Sequence, residues 1–276
     1  MSERTKRQSF LGAGSDDLLA SLRIAVVGVG GGGSHIVQQL AHIGVGTYIL
    51  VDPDRIEASN TNRLIGGTVA DVRAKRWKTT IAARLVKRVL PTGHIIEIKH
   101  AWQLAAEDLR DCDIIYGCLD SFVGRRELEE AARRFMIPYI DIGMDVIQSG
   151  DRYAIVGQVA LSMPGRLCLR CMGVVRDSDV AEEAKAYGAA GGKPQVVWPN
   201  GVLASLAVGI GLQLVCPWHN DHREVALLEY DGNSDTVVAS TLLSALSTHC
   251  PHFAAVNTVG DPWFAIGHAG ASGAAN

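Results

Sequence analysis

Gly28, Gly30 and Gly33 stand in a G-x-G-x-x-G spacing directly after the apolar run Ile24 to Val27, and Asp52 closes the next apolar run, Thr47 to Val51. In such a pattern the first glycine makes a tight turn, the second lets backbone approach a phosphate, and the third allows close helix packing. A carboxylate about 20 residues on meets ribose hydroxyls, and amides at the start of the following helix face an anion. The chemistry is nucleotide binding. Asp54 follows Asp52 across Pro53, and Ser59, Asn60, Thr61, Asn62 and Arg63 come next. A dinucleotide needs one carboxylate for ribose. A second carboxylate, asparagines and an arginine suit a triphosphate that brings Mg²⁺ and several negative oxygens; the bland alternative is a solvated acidic turn beside a surface arginine. Lys78 opens a helix, where a cation is misplaced unless an anion is near. Lys75 is the fallback, and Arg73, Arg76 and Arg84 make a plain charged face the competing reading. Asp120 ends the apolar run Ile114 to Leu119, at a strand's carboxyl end where a metal-binding carboxylate belongs, or it caps the next helix.

A second constellation lies further on. Cys168 and Cys171 form a CxxC pair on a β-like hairpin, and Cys250 and His252 follow about 80 residues later. Together they predict a tetrahedral Zn²⁺ site joining distant segments, with His252 or His249 as fourth ligand. A thioredoxin-like redox pair fits less well, because its CxxC opens a helix near an N-terminal βαβ unit. Cys112, Cys118 and Cys216 lie in apolar contexts and read as buried thiols; His219 and His222 read as surface residues.

The elements that must position these groups alternate. From Ile24 to about Asp145 the strand-like runs IAVVGV, TYILVD, HIIEIK, DIIYGCLD and PYIDIG are separated by helices from Ser34, across Lys78 to Val89, near Ala105 and across Arg125 to Phe135. The expected fold is α/β, a Rossmann-like doubly wound, mostly parallel sheet, with ligands at the strands' carboxyl ends. After Asp145 come short β-like pieces, a glycine-rich loop at Gly188 to Gly192 and an apolar helix: a C-terminal, β-rich, zinc-binding extension. The organisation is then an arm and helix with Leu18, Leu19 and Leu22 on one face (1–22), a nucleotide-binding half (23–150), a β-rich, zinc and dimer-helix half of the same domain (151–266) and a flexible tail (267–276).

Bulk properties exclude some classes. A net charge of −3 gives no reason to expect nucleic acid or an anionic membrane as partner. No charged n-region and apolar h-region open the chain, so cytoplasm is the expected compartment. Pro194 to Trp218 carries no charge and approaches a membrane span in length, but its prolines, glycines, Asn200 and Gln213 predict instead a buried or dimer-interface helix of about 15 residues capped by Asn200.

In this order the pieces resemble the ThiF/MoeB/HesA family of ubiquitin-activating-like adenylyltransferases. The R-x-x-R-Q arm is Arg4-Thr5-Lys6-Arg7-Gln8; GxGGxG is Gly28-Val29-Gly30-Gly31-Gly32-Gly33; D-x-D and S-N-x-x-R are Asp52-Pro53-Asp54 and Ser59 to Arg63. Lys78 precedes Pro91 by a helix length, with Leu90 in place of the family's asparagine, and Asp120-Ser121-Phe122-Val123-Gly124-Arg125 stands for D-N-x-x-x-R. The zinc pairs are CxxC and CPxC in the family, and Phe253 stands where the last cysteine would fall. The resemblance implies Asp52 on ribose, Asn60, Arg63 and Lys78 on phosphates, Asp120 on Mg²⁺, and Arg7 reaching into a neighbouring subunit's site, hence a homodimer. It implies ATP-dependent adenylation of the C-terminal glycine of a small ubiquitin-like (β-grasp) or sulfur-carrier protein. No cysteine stands between Cys171 and Cys216, so no obligatory thioester on this chain is expected. The competing functions are an NAD-dependent oxidoreductase, for which the paired aspartates, Arg63, Lys78 and the arginine arm have no use, and a non-catalytic scaffold for a ubiquitin-like partner.

Overall fold

The alternation of the first half becomes one sheet. The computed structural model describes residues 3–185, 194–216, 218, 226–246 and 250–253. A 3-10 segment, Glu3–Leu11, and helix α1, Ser15–Ser21, lead into strand β1, Arg23–Val27. There follow α2 (Gly31–Ile43), β2 (Thr47–Val51), α3 (Val69–Arg73), α4 (Lys78–Val89) and β3 (His94–Ile98). Next come β4 (Ile114–Gly117), α5 (Phe122–Arg134), β5 (Tyr139–Ser149) and β6 (Arg152–Ser162). Helices α6 (Asp177–Lys185) and α7 (Val197–Val215) and strands β7 (Leu227–Asp231) and β8 (Thr236–Ala239) complete the order.

The eight strands lie in the order β3-β2-β1-β4-β5-β6-β7-β8. The first five are parallel and the last three antiparallel. The winding reverses between β1 and β4, and in such sheets a crevice opens at the carboxyl ends of the strands at that point. β5 and β6 pair along their whole length, from Tyr139 with Ser162 to Ser149 with Arg152, so one sheet runs through both halves of the chain.

Period-two side-chain alternation divides the core. Ile24, Val26, Tyr48 and Leu50 pack with Ile36, Val37 and Leu40 of α2 and Leu203, Ala204 and Ala207 of α7. Ala25, Val27, Ile49, Val51 and Ile115 pack on the other face with Leu128, Ala131 and Ala132 of α5 and with Trp102 and Leu109. A sheet covered on both faces requires the near-continuous apolar strands seen in the sequence.

Local details differ from expectation for identifiable reasons. Helix α7 starts at Val197, with Pro199 in its first turn, where a missing N–H costs nothing. Asn200 is therefore inside the helix rather than its cap, and its Nδ2 donates to Val196 O at 2.8 Å. Helix α7 is long and apolar enough to cross a membrane by length and composition, but here Leu203, Ala207 and Val208 lie on the sheet as core residues. Leu19 of α1 and Leu22 just past its end turn inward while Leu18 faces solvent. The helix expected near Ala105 is a 3-10 segment, Trp102–Leu109, kinked at Ala105. The arm is fastened to the end of α2: Arg4 Nη1 donates to Ala41 O and His42 O at 3.3 and 2.8 Å, and Gln8 Nε2 donates to Ile43 O at 2.9 Å. These donors satisfy carbonyls that a helix C-terminus leaves unpaired.

Candidate active site and metal centre

Gly28 has φ +87°, and a Cβ there would lie 2.5 Å from Cys118 O, so neither the turn nor the approach of β4 tolerates a side chain. A Cβ on Gly33 would run into Gly28 O, which fixes how closely α2 packs on the turn. A Cβ on Gly30 would meet nothing within 4 Å: the space above the turn is open, as a backbone cradle for phosphate requires. Gly31, beside it, lies against the Asn200 amide.

At the end of β2, Asp52 is 4% exposed. Its Oδ2 accepts from Val29 N–H and its Oδ1 from Asp54 N–H, both at 2.9 Å, so Asp52 is not part of a solvated turn, whereas Asp54 is 62% exposed. Burial pushes this carboxyl above the ordinary range, opposed by the Lys78 ammonium and the two amides. Lys78, the first residue of α4, places Nζ 2.7 Å from Asp54 Oδ2 and 3.7 Å from Asp52 Oδ1. The rest of the basic segment goes elsewhere: Arg76 and Arg84 pair with Asp71, and Lys75 is exposed with φ +45°. The alternative of a plain charged face thus fails for Lys78 and holds for Lys75.

Asn60 uses Oδ1 to accept Glu57 N–H at 2.9 Å, leaving its amide N–H groups as donors for a ligand. Arg63 Nη1 donates to Ser59 O and Asn62 Oδ1 at 2.7 and 2.9 Å. The cap of α5 is Ser121, whose Oγ accepts Gly124 N–H at 3.0 Å, so Asp120 is exposed and has no capping duty. Gly28, Gly30, Gly31, Asp52, Asp54, Asn60, Arg63, Lys78 and Asp120 all line one cleft of about 770 Å³. Arg7 is exposed on the N-terminal 3-10 segment and does not line that cleft.

Arg125 and Gln158 also line the cleft, held by partners that the sequence did not announce. Arg125, 7% exposed, donates from Nε to Leu119 O at 2.9 Å and lies 3.3 Å from the buried Asp141, which in turn accepts Tyr139 Oη–H at 2.9 Å. With its amide oriented by these neighbours, Gln158 accepts from Arg125 at 3.1 Å and donates to Gly143 O at 3.2 Å. A charged residue inside the apolar run PYIDIG was the available signal, since a buried aspartate needs a partner. Cys118 also lines the cleft, instead of being simply buried. Burial raises its thiol and pushes that of Cys112 up to about 12, so neither is a ready nucleophile.

The second constellation assembles as well. Cys168 to Cys171 is a tight turn after β6, with Met172 N–H donating to Cys168 O at 2.9 Å, rather than part of a hairpin. Cys168 Sγ is 3.6 Å from Cys171 Sγ and 3.2 Å from His252 Nδ1; Cys171 Sγ is 3.7 Å from Cys250 Sγ and 3.4 Å from His252 Nδ1. Zinc–sulfur bonds of about 2.3 Å give tetrahedral edges of about 3.8 Å, so these four atoms fit one ion, and a Cys₃His set is soft enough to prefer zinc. His249, His219, His222, Gly188 to Gly192 and 267–276 lie outside the described residues.

The sheet order and the switch-point cleft define a Rossmann-like α/β protein whose cleft brings carboxylates and cations together. The chain belongs to the ThiF family, whose profile matches residues 3–252. It is 30% identical over 156 residues to the SAMP-activating enzyme E1 of Haloferax volcanii, covering 56% of this chain and 54% of that one. It is 29% identical over 131 residues to the sulfur carrier protein ThiS adenylyltransferase of Escherichia coli (46% and 50%) and 28% identical over 181 residues to the sulfur carrier protein adenylyltransferase of Thermus thermophilus (62% and 63%). The matches thus span about half to three-fifths of these relatives. Among solved structures, E. coli MccB with ATP has a TM-score of 0.73 at 19% identity, covering 91% of this chain and 73% of that one, which establishes likeness of fold.

Proposed function

We infer that this protein binds Mg-ATP in the cleft and adenylates the C-terminal glycine of a small ubiquitin-like or sulfur-carrier protein. The observation that carries this reading is the convergence of Asp52, Asn60, Arg63, Lys78 and an uncommitted Asp120 around the open turn at Gly30. The names of the relatives support the same class of reaction.

A carboxylate is a poor nucleophile toward a polyanion, so the site must neutralise charge on both reactants. Asp52 is placed to accept ribose hydroxyls, and Lys78 exchanges its Asp54 contact for phosphate oxygens. Arg63 and the Asn60 amide bind the remaining phosphate charge. Asp120 is the residue that would hold Mg²⁺, which supplies Lewis-acid stabilisation of the leaving pyrophosphate. The substrate carboxylate attacks the α-phosphorus, the bond to the β-phosphate oxygen breaks, and acyl-adenylate and pyrophosphate result. Arg7 is proposed to complete the site of a second copy in a homodimer, and without a cysteine between Cys171 and Cys216 the adenylate is handed on with no obligatory thioester. A reducing cytoplasm suits its thiol ligands.

ATP–pyrophosphate exchange tests the reading. Exchange should appear with Mg-ATP only when a small protein ending in glycine is added. Stabilisation by NADH with none by Mg-ATP would instead indicate an oxidoreductase, and binding of the protein partner without exchange would indicate a scaffold.

A further inference from the structure

Arg133 is the largest fully buried side chain among the described residues, 2% exposed, and lies in the last turn of α5 away from the cleft lining. Burying a guanidinium costs several kcal/mol unless its donors are engaged, so its partners are informative. Nε donates to Ser162 Oγ at 2.9 Å, and Nη2 donates to Arg166 O and Leu167 O at 2.9 and 2.7 Å. Glu129, one helical turn earlier and 1% exposed, lies 3.7 Å from Nε. Its Oε1 accepts Ser162 Oγ–H at 2.5 Å and Leu169 N–H at 2.8 Å. The two carbonyls leading into the Cys168 turn, and the amide directly after Cys168, are therefore tied to one helix.

The same guanidinium reaches the other half of the centre. Its Cζ lies 4.6 Å from the centroid of the Phe253 ring, next in sequence to His252. With Phe253 held against Arg133, the neighbouring imidazole faces the three sulfurs.

We propose that Arg133 is the positioning residue of the metal centre: with Glu129 it presets the turn that carries Cys168 and Cys171, and by seating Phe253 it assigns the fourth ligand place to His252. This stands independently of the adenylation reading. It also reaches the cleft, because Met172, Gly173 and Val174, which follow Cys171 directly, line its wall.

The test uses the full chain loaded with Zn²⁺, and separately with Co²⁺ as a spectroscopic substitute, in wild type, Arg133→Lys, Phe253→Leu, Phe253→Tyr and His252→Ala. Far-UV circular dichroism establishes that each is folded. Removing outer-shell partners of metal ligands weakens binding about 10- to 100-fold, and that loss is expected for Arg133→Lys and Phe253→Leu in chelator competition. Phe253→Leu should also move the Co²⁺ absorption from the three-sulfur, one-nitrogen pattern toward that of His252→Ala, and Phe253→Tyr, which keeps the aromatic face, should restore the wild-type spectrum. If Phe253→Leu keeps wild-type zinc affinity and spectrum, the proposal is overturned, even should Arg133→Lys fail to fold.

Discussion

Replacing Lys78 by alanine removes a cation that touches both aspartates of the β2 end. Its Nζ lies 2.7 Å from Asp54 and 3.7 Å from Asp52, and the side chain is 13% exposed, so the charge is largely sheltered from water and salt. Two unit charges about 4 Å apart at an effective dielectric of about 20 interact by about 4 kcal/mol. Part of that is already spent on Asp54 in the free protein, which leaves about 2 to 3 kcal/mol for a phosphate, or roughly 30- to 150-fold in Kd. The loss is compounded because Asp52 and Asp54 then face an incoming polyanion with no cation between them. Asp54→Asn is the control: neutralising that carboxylate frees Lys78 and removes a negative charge facing the polyanion, so affinity should hold or rise where that of Lys78→Ala falls. The assay is calorimetric titration of each variant with a non-hydrolysable Mg-ATP analogue at low salt. A Lys78→Ala Kd within about threefold of wild type, measured beside an Arg63→Ala variant that does weaken binding, would refute the phosphate role of Lys78.

Three further outcomes are expected. Arg7→Ala should leave ATP affinity nearly intact while slowing pyrophosphate exchange by about 10³ or more, by analogy with arginines supplied in trans, and mixing it with an Arg63→Ala variant should restore some activity through hybrid dimers. Gly33→Ala drives a methyl into Gly28 O and should cost about 1 to 3 kcal/mol in urea unfolding together with loss of ATP binding, the overpacking range. Asp71 accepts both terminal nitrogens of Arg84 at 2.7 Å, with Arg76 and Thr68 adding bonds, and this holds its carboxyl well below the usual range. Its folded pKa lies below the unfolded one, so its stabilisation is present above about pH 4 and fades as pH falls toward the folded value. Asp71→Asn should accordingly cost about 1.5 to 3 kcal/mol near pH 7, with the gap to wild type narrowing in acid.

The glycine turn, Asp52 and Lys78 could be read in the sequence because local rules place them: a strand, a turn that only glycine makes, and a helix start with a misplaced cation. Asp120 and Ser121 both make good caps, and only three-dimensional geometry shows that Ser121 took the duty and left Asp120 to the cleft. Helix α5 was the least legible element. Its sequence FVGRRELEEAARR looks like a solvated surface, yet Arg125, Glu129 and Arg133, spaced four apart, are 7%, 1% and 2% exposed. Helical periodicity reports a face but not which face is inside when both carry charge. The partners that make burial tolerable, Asp141, Ser162 and the carbonyls before Cys168, come from strands and loops distant in sequence. The metal centre was legible in its ligands: the spacing named Cys168, Cys171, Cys250 and His252, with His249 as the alternative to His252, and these four are the side chains that meet.

The claim at the centre is that the cleft activates a carboxylate by placing it on the α-phosphorus of ATP, and hydroxylamine trapping reads this directly. With Mg-ATP and a small glycine-terminated ubiquitin-like protein, mass spectrometry should find a hydroxamate at that C-terminal glycine, accompanied by AMP and pyrophosphate and absent from Lys78→Ala. A hydroxamate formed with release of ADP and phosphate, or none at all under saturating Mg-ATP and substrate protein, would contradict it.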